Sequence, residues 1–179
     1  DGQIGGAVRG KIAQVWSVNF DITSTSHAQP AGRFIGITQN STGAETTTFT
    51  NVSSFLAPFS GRITKLMFRF PGTYDSSATA RPVWILEVAD IEQNGTPADS
   101  TTRVIHQATA SAHPGQNVVG GIDFGSSTYQ ITGSWSWTTG SLVGLKSIVP
   151  GGTATPGQAH LTLLVEFDHL DPYISGSGN

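Results

Sequence analysis

The chain has 179 residues, of which 37% are hydrophobic, 12% charged and 9% aromatic, enough for one good core and short for two. With 9 Lys and Arg against 12 Asp and Glu, and the basic residues scattered from Arg9 to Lys146, no basic patch offers itself to nucleic acid. Cysteine is absent, which excludes disulfides, thiolate metal centres and thiol nucleophiles. Ser and Thr together number 41 and Gly 22, a composition that favours strands and turns over helical surfaces built from Lys, Glu, Gln and Arg. No apolar run approaches the ~18 residues that cross a bilayer, so a membrane is not an expected partner. The chain opens at Asp1 without a basic and then apolar leader, and reads as processed and soluble.

Residues 1–11 hold four glycines and little to bury. They read as a flexible docking arm, with Ile4, Val8, Arg9 and Lys11 as the groups that would meet a partner. From Ile12 the pattern turns to period two. Ile12, Trp16, Val18, Phe20 and Ile22 fall on one side, and Ala13, Val15, Ser17, Asn19 and Asp21 on the other. Gln29, Pro30, Ala31 and Gly32 mark a turn, and residues 33–38 form a short β-branched strand. Residues 55–71 open with a turn bracketed by Pro58 and Gly61 and continue as a long strand. Its alternation slips between Ile63 and Leu66, which predicts a β-bulge near Thr64.

Residues 82–91 are apolar on both faces, as a strand covered on two sides must be. Further strands are expected at 102–108, 117–124, 128–132, 141–149 and 159–168, with Gly- and Pro-rich turns between them. Nowhere do ten residues carry a helical stripe. The expected fold is therefore all-β: one antiparallel β-sandwich, a jelly roll of eight to ten strands, over residues 12–172. The tail, residues 173–179, is expected to be flexible.

Chemistry is sparse. There is no Gly-x-Ser-x-Gly, and the five histidines show no metal-binding spacing. Glycoside hydrolysis would need two facing carboxylates from Glu45, Glu87, Glu92, Glu166 and the aspartates. Glu87, mid-strand, reads as solvent-facing or hydrogen-bonded at a sheet edge. Glu166, Asp168 and Asp171 form the one oxygen-rich group that a cation could use, although calcium wants six to eight ligands. Trp135 and Trp137 would share a face of any strand they form. Buried, they belong to the core; exposed, they would anchor a subunit interface or stack on a sugar ring. No cofactor and no enzymatic activity are expected.

Three stretches carry a resemblance. Residues 55–63, Phe-Leu-Ala-Pro-Phe-Ser-Gly-Arg-Ile, follow an F-x-AP-x-x-G-x-I pattern; Trp137, Gly140, Val143 and Leu145 follow an aromatic-x-x-G-x-x-V-x-L pattern; residues 163–168 read Leu-Leu-Val-Glu-Phe-Asp. Over roughly residues 50–170 these resemble the small jelly-roll-like virion surface proteins of tailed bacteriophages, of head-decoration or fibre-knob type. The first motif also echoes trimeric C1q-type jelly rolls. The resemblance implies a homotrimer on the virion surface, with a capsid or tail protein as partner and a host-surface glycan as a further one. No catalytic or binding residue carries over from it. Low charge, absence of cysteine and a Ser/Thr-rich surface suit a durable particle component. The competing expectation is a secreted carbohydrate-binding module that uses Trp135 and Trp137.

Overall fold

A computed structural model of the protein describes residues 11–22, 32–37, 54–70, 82–89, 104–109, 119–125, 130–148 and 157–168. Ile4, Val8 and Arg9 of the expected arm, Asp171 and the tail from Tyr173 lie outside these residues. Eleven strands occur among the described residues: β1 (Lys11–Ile22), β2 (Arg33–Ile35), β3 (Ser54–Leu56), β4 (Gly61–Arg69), β5 (Val83–Ala89), β6 (Val104–Thr109), β7 (Val119–Asp123), β8 (Gln130–Thr132), β9 (Ser136–Trp137), β10 (Leu142–Ile148) and β11 (Gly157–Asp168). That is one more than the expected range, because the two-residue β9 is too short for any alternation to announce it. Among the described residues no helix is long and apolar enough to cross a membrane.

Every pairing is antiparallel. The first sheet runs β1-β11-β4-β7, with β9 on β4; the second runs β2-β10-β5-β6-β8, with β3 on β10. Set aside the short β3, β8 and β9, and the remaining eight strands pair first with last, second with seventh, third with sixth and fourth with fifth. That is one long antiparallel ribbon rolled over so that its halves become two facing sheets, which is the jelly-roll topology. β1 is an edge strand with one described neighbour, β11, along twelve residue pairs. It begins at Lys11, so Lys11 belongs to the sandwich rather than to the arm.

The alternation read from the sequence sets what each sheet buries. On β4, Ile63, Leu66 and Phe68 are buried while Arg62, Lys65, Met67 and Arg69 are exposed. Two residues separate Ile63 from Leu66, yet both point inward, because Thr64 is an extra residue. β11 pairs Leu164 with Lys65 and then Val165 with Ile63. Thr64 is held at this bulge by donating its hydroxyl to Leu164 O (3.2 Å) and by accepting from Phe124 N (3.1 Å).

β5 is central in the second sheet, as its two apolar faces require. Glu87 therefore lies mid-sheet and buried, opposite Gly144 and Ile105, and not at an edge or facing solvent. The core between the sheets is aromatic. Trp84 on β5 meets Phe68 at 5.5 Å, Phe20 at 6.3 Å and Phe70 at 6.2 Å between ring centroids, so one second-sheet ring is gripped by rings from the first sheet and its flank.

Candidate functional site

At one end of the sandwich β1 starts, β11 ends, β4 starts and β9 lies beside it. The register sets Lys11 opposite Asp168, Glu166 opposite Arg62, and Ser136 opposite Arg62 on its other side. These residues, with Ser60, Gly61, Trp137 and Thr138, line a cleft of about 270 Å³. Its rim is fixed by the turn that precedes β4. Asp168 N donates to Ser60 O (2.9 Å), Thr139 N donates to Ser60 Oγ (3.1 Å), and the Trp137 indole donates to Phe59 O (3.1 Å).

Beneath the cleft, Trp16, Phe55, Phe59, Trp137 and Phe167 form a connected aromatic cluster with centroid distances of 5.2–6.4 Å. Gly61 allows this packing, since a Cβ there would meet Trp137 Cζ2 and Glu166 O, each at 2.9 Å.

Four residues singled out for unrelated reasons meet here: Lys11 from the arm, Trp137 from the tryptophan pair, and Glu166 and Asp168 from the oxygen-rich group. Arg62 was the missing member, since in the sequence it is one of nine scattered bases. Its Nε and Nη2 donate to Glu166 Oε2 at 2.9 and 2.7 Å, and Lys11 Nζ lies 3.7 Å from the same oxygen. The Arg62 hydrogen bonds hold the Glu166 carboxyl below the usual carboxylate range, against an opposing effect of burial and with help from the charges of Arg62 and Lys11. Of the oxygen-rich group expected from the sequence, Glu166 and Asp168 lie at this cleft and Asp171 lies outside the described residues. Glu166 already serves two cationic side chains, whose charge repels a third cation, and no group of three metal-ligating side chains occurs among the described residues.

The tryptophan pair takes the core alternative. Trp135 and Trp137 are 0% and 4% exposed, so both belong to the core, and neither presents an open ring face for sugar stacking or an interface anchor. Trp135 packs on Phe124 at 4.4 Å between centroids and has φ 54°, a left-handed conformation that a bulky side chain adopts only when its surroundings enforce it. Here the buried ring and the bond from Ile63 N to Trp135 O (3.0 Å) do so.

Ser136 also links the cleft to the second sheet. His106 on β6 is buried opposite Leu86 and hydrogen-bonds to the Ser136 backbone. Burial lowers its pKa from the ordinary 6.5, opposed by that backbone bond. Between the lowered folded value and 6.5 the unfolded chain binds more protons than the folded one. Stability contributed by neutral His106 is thus present above pH 6.5 and is lost as pH falls through the folded value. Unfolding midpoints measured from pH 8 down to 5 should fall through this window, and His106→Gln should flatten that part of the profile. An unchanged profile in the variant would remove His106 as the cause.

No protein-family model matches the chain, and no curated protein matches it. Among solved structures, one likeness is to the "Structure of infectious bursal disease virus Gx strain", at 15% sequence identity and a TM-score of 0.18. It covers 92% of this chain and 44% of that one, so the chain spans less than half the length of its neighbour. A score this low carries no argument about fold or function.

Proposed function

We propose that the chain is a non-enzymatic structural protein of a bacteriophage particle, decorating the capsid surface or forming part of a tail fibre, and working as a homotrimer. The observation that carries this reading is the outer face of the first sheet. The register aligns Val15 with Leu164 and Lys65, Ser17 with Thr162, Met67 and Gly121, and Asn19 with His160, Arg69 and Val119. Val15, Leu164, Met67 and Val119 thus form an apolar diagonal across four strands, with Val15 67%, Met67 43% and Val119 57% exposed. The flanking charges are paired within the sheet: Arg62 and Lys11 with Glu166, and Lys65 with Asp123 at 3.8 Å. An apolar band crossed by Arg69 and His160 and rimmed by paired charges is what a subunit interface presents, and an isolated domain seldom leaves such a band open.

The long edge strand β1, which continues directly from residues 1–10, supports docking on a particle by strand addition. Light scattering of the purified chain should give three times 18.7 kDa, and the double variant Leu164→Lys/Met67→Lys should give folded monomers. Recovery of the chain in stoichiometric amounts from purified virions tests the particle role. A wild-type monomer at micromolar concentration, or absence from virions, would overturn the corresponding half of the proposal.

A further inference from the structure

We infer that in the free protein the β1 edge pairs with β1 of a second copy, antiparallel and about a two-fold axis at Trp16, so that the first sheets of two chains become one continuous sheet. The inference concerns the edge of that sheet and not its outer face. It stands whether or not the chain rides on a phage particle.

The edge comes first. Proteins usually blunt a sheet edge with a short strand, a bulge, a proline or charges, because unpaired backbone groups are a template for another strand. The other edge strands among the described residues follow that rule: β7 has five residues, β2, β3 and β8 have three each, and β9 has two. β1 does not. It runs for twelve residues in unbroken register with β11, and from Ile12 to Phe20 it holds no proline and no charge. Ala13, Gln14, Val15 and Ser17 are all exposed, so this half of the edge lies open.

Register then selects the partner. In an antiparallel pair, directly opposite residues share a face, and Val18 and Phe20 of β1 face the core. Two copies of β1 therefore keep their core-facing residues on one side only when some residue lies opposite its own copy. Two such registers pair eleven of the twelve residues, one centred on Trp16 and one on Ser17. Centring on Ser17 leaves Lys11 beyond the end of the paired strand and sets Asp21 opposite Ala13. Centring on Trp16 sets Lys11 opposite Asp21 at both ends, Ile12 opposite Phe20, and Val15 opposite Ser17. The two charged residues of the strand thus meet twice. Within its own sheet Asp21 lies opposite the uncharged Gln158, so the second copy brings the cationic residue that β11 does not. Lys11 is half exposed, and its Nζ stands 3.7 Å from Glu166, which leaves it room for a second acidic partner. An unrelated strand would need its own acid and base at the same spacing. A second copy has both.

About one backbone hydrogen bond forms per residue pair, yet a single strand pair falls below ~1,200 Å² of buried surface, the size class of weak contacts. A Kd on the order of 100 µM follows.

Sedimentation equilibrium of the full chain at low salt tests this. The chain carrying Leu164→Lys and Met67→Lys isolates the edge, since those changes charge the outer face and leave β1 as it is. Its mass should double between about 1 µM and about 1 mM. The mass of the wild type at micromolar concentration reads the face contact by itself, so the trimer and the edge pair fail separately. In the same background Asp21→Lys sets like charges opposite each other at both ends and should weaken the doubling about tenfold, as should Lys11→Glu. Mixed in equal amounts, the two variants should regain close to the original affinity, because each meets the opposite sign in the other. That recovery also excludes misfolding as the cause of the single losses. Absence of doubling up to about 1 mM would overturn the inference and leave the edge to a particle protein. So would charge variants that double as readily as their parent, or a mixture no better than its components.

Discussion

Replacing Trp84 by alanine should lower the unfolding free energy by about 3–5 kcal/mol, a large share of the ~5–15 kcal/mol that holds an ordinary domain folded. Trp84 is 0% exposed and its ring is the second sheet's contact with Phe20, Phe68 and Phe70, so truncation leaves a cavity where the two sheets meet. The indole N–H adds no stability to that sum and costs some, because Trp84 Nε1 is buried with no hydrogen-bond partner among the described residues. Trp84→Phe should therefore cost less than half as much, since it keeps a ring between the sheets and removes an unsatisfied donor. Urea unfolding followed by circular dichroism measures both. Equal costs for the two variants would show that ring packing is not what Trp84 supplies.

Gly133→Ala, in the turn before β9, should cost about 3 kcal/mol. Two separable causes act there. Gly133 has φ 79°, where a side chain costs about 1–2 kcal/mol, and its added Cβ would collide with Nδ1 of the buried His106, an overpacking worth about 1–3 kcal/mol. In a His106→Ala background only the first cause survives, so the cost of the glycine substitution should fall by about half. A double-mutant cycle reads this directly. Strict additivity would mean that the collision relaxes at no cost and that the backbone angle alone matters.

The parts of this fold visible in the sequence are those governed by local pattern. The slip from Ile63 to Leu66 gave away the bulge at Thr64, and the doubly apolar run around Val83–Ala89 gave away a central strand. The inward set of Val18 and Phe20 on β1 follows from simple alternation. What was hidden depends on register between distant segments. Glu87 looks like an edge residue until β6 and β10 are seen on either side of it. The cleft is the clearest case. Lys11, Arg62, Ser136 and Glu166 share no sequence neighbourhood, and only the β1–β11–β4–β9 pairing brings them together. Alternation alone leaves Trp137 either buried or open; in the fold its ring is buried and its indole donates to Phe59 O, a partner 78 positions earlier in the chain.

The pairing of β1 with β11 joins the first described strand to the last along twelve residue pairs. In kinetic terms these pairs have almost the largest sequence separation the described residues allow, and the loop-closure entropy must be met before any of them forms. Folding on the millisecond-to-second scale or slower follows, with the hairpin β5–β6 at the fold of the ribbon able to form early and the β1 edge closing late. During synthesis at ~5–20 residues per second, β1 has no native partner until β11 has been made, an interval of order ten seconds. Through that interval its exposed Ile12 and Val15 and its unpaired backbone are open to capture by another nascent copy, so the edge proposed for docking also makes strand exchange between neighbours the characteristic misfolding route.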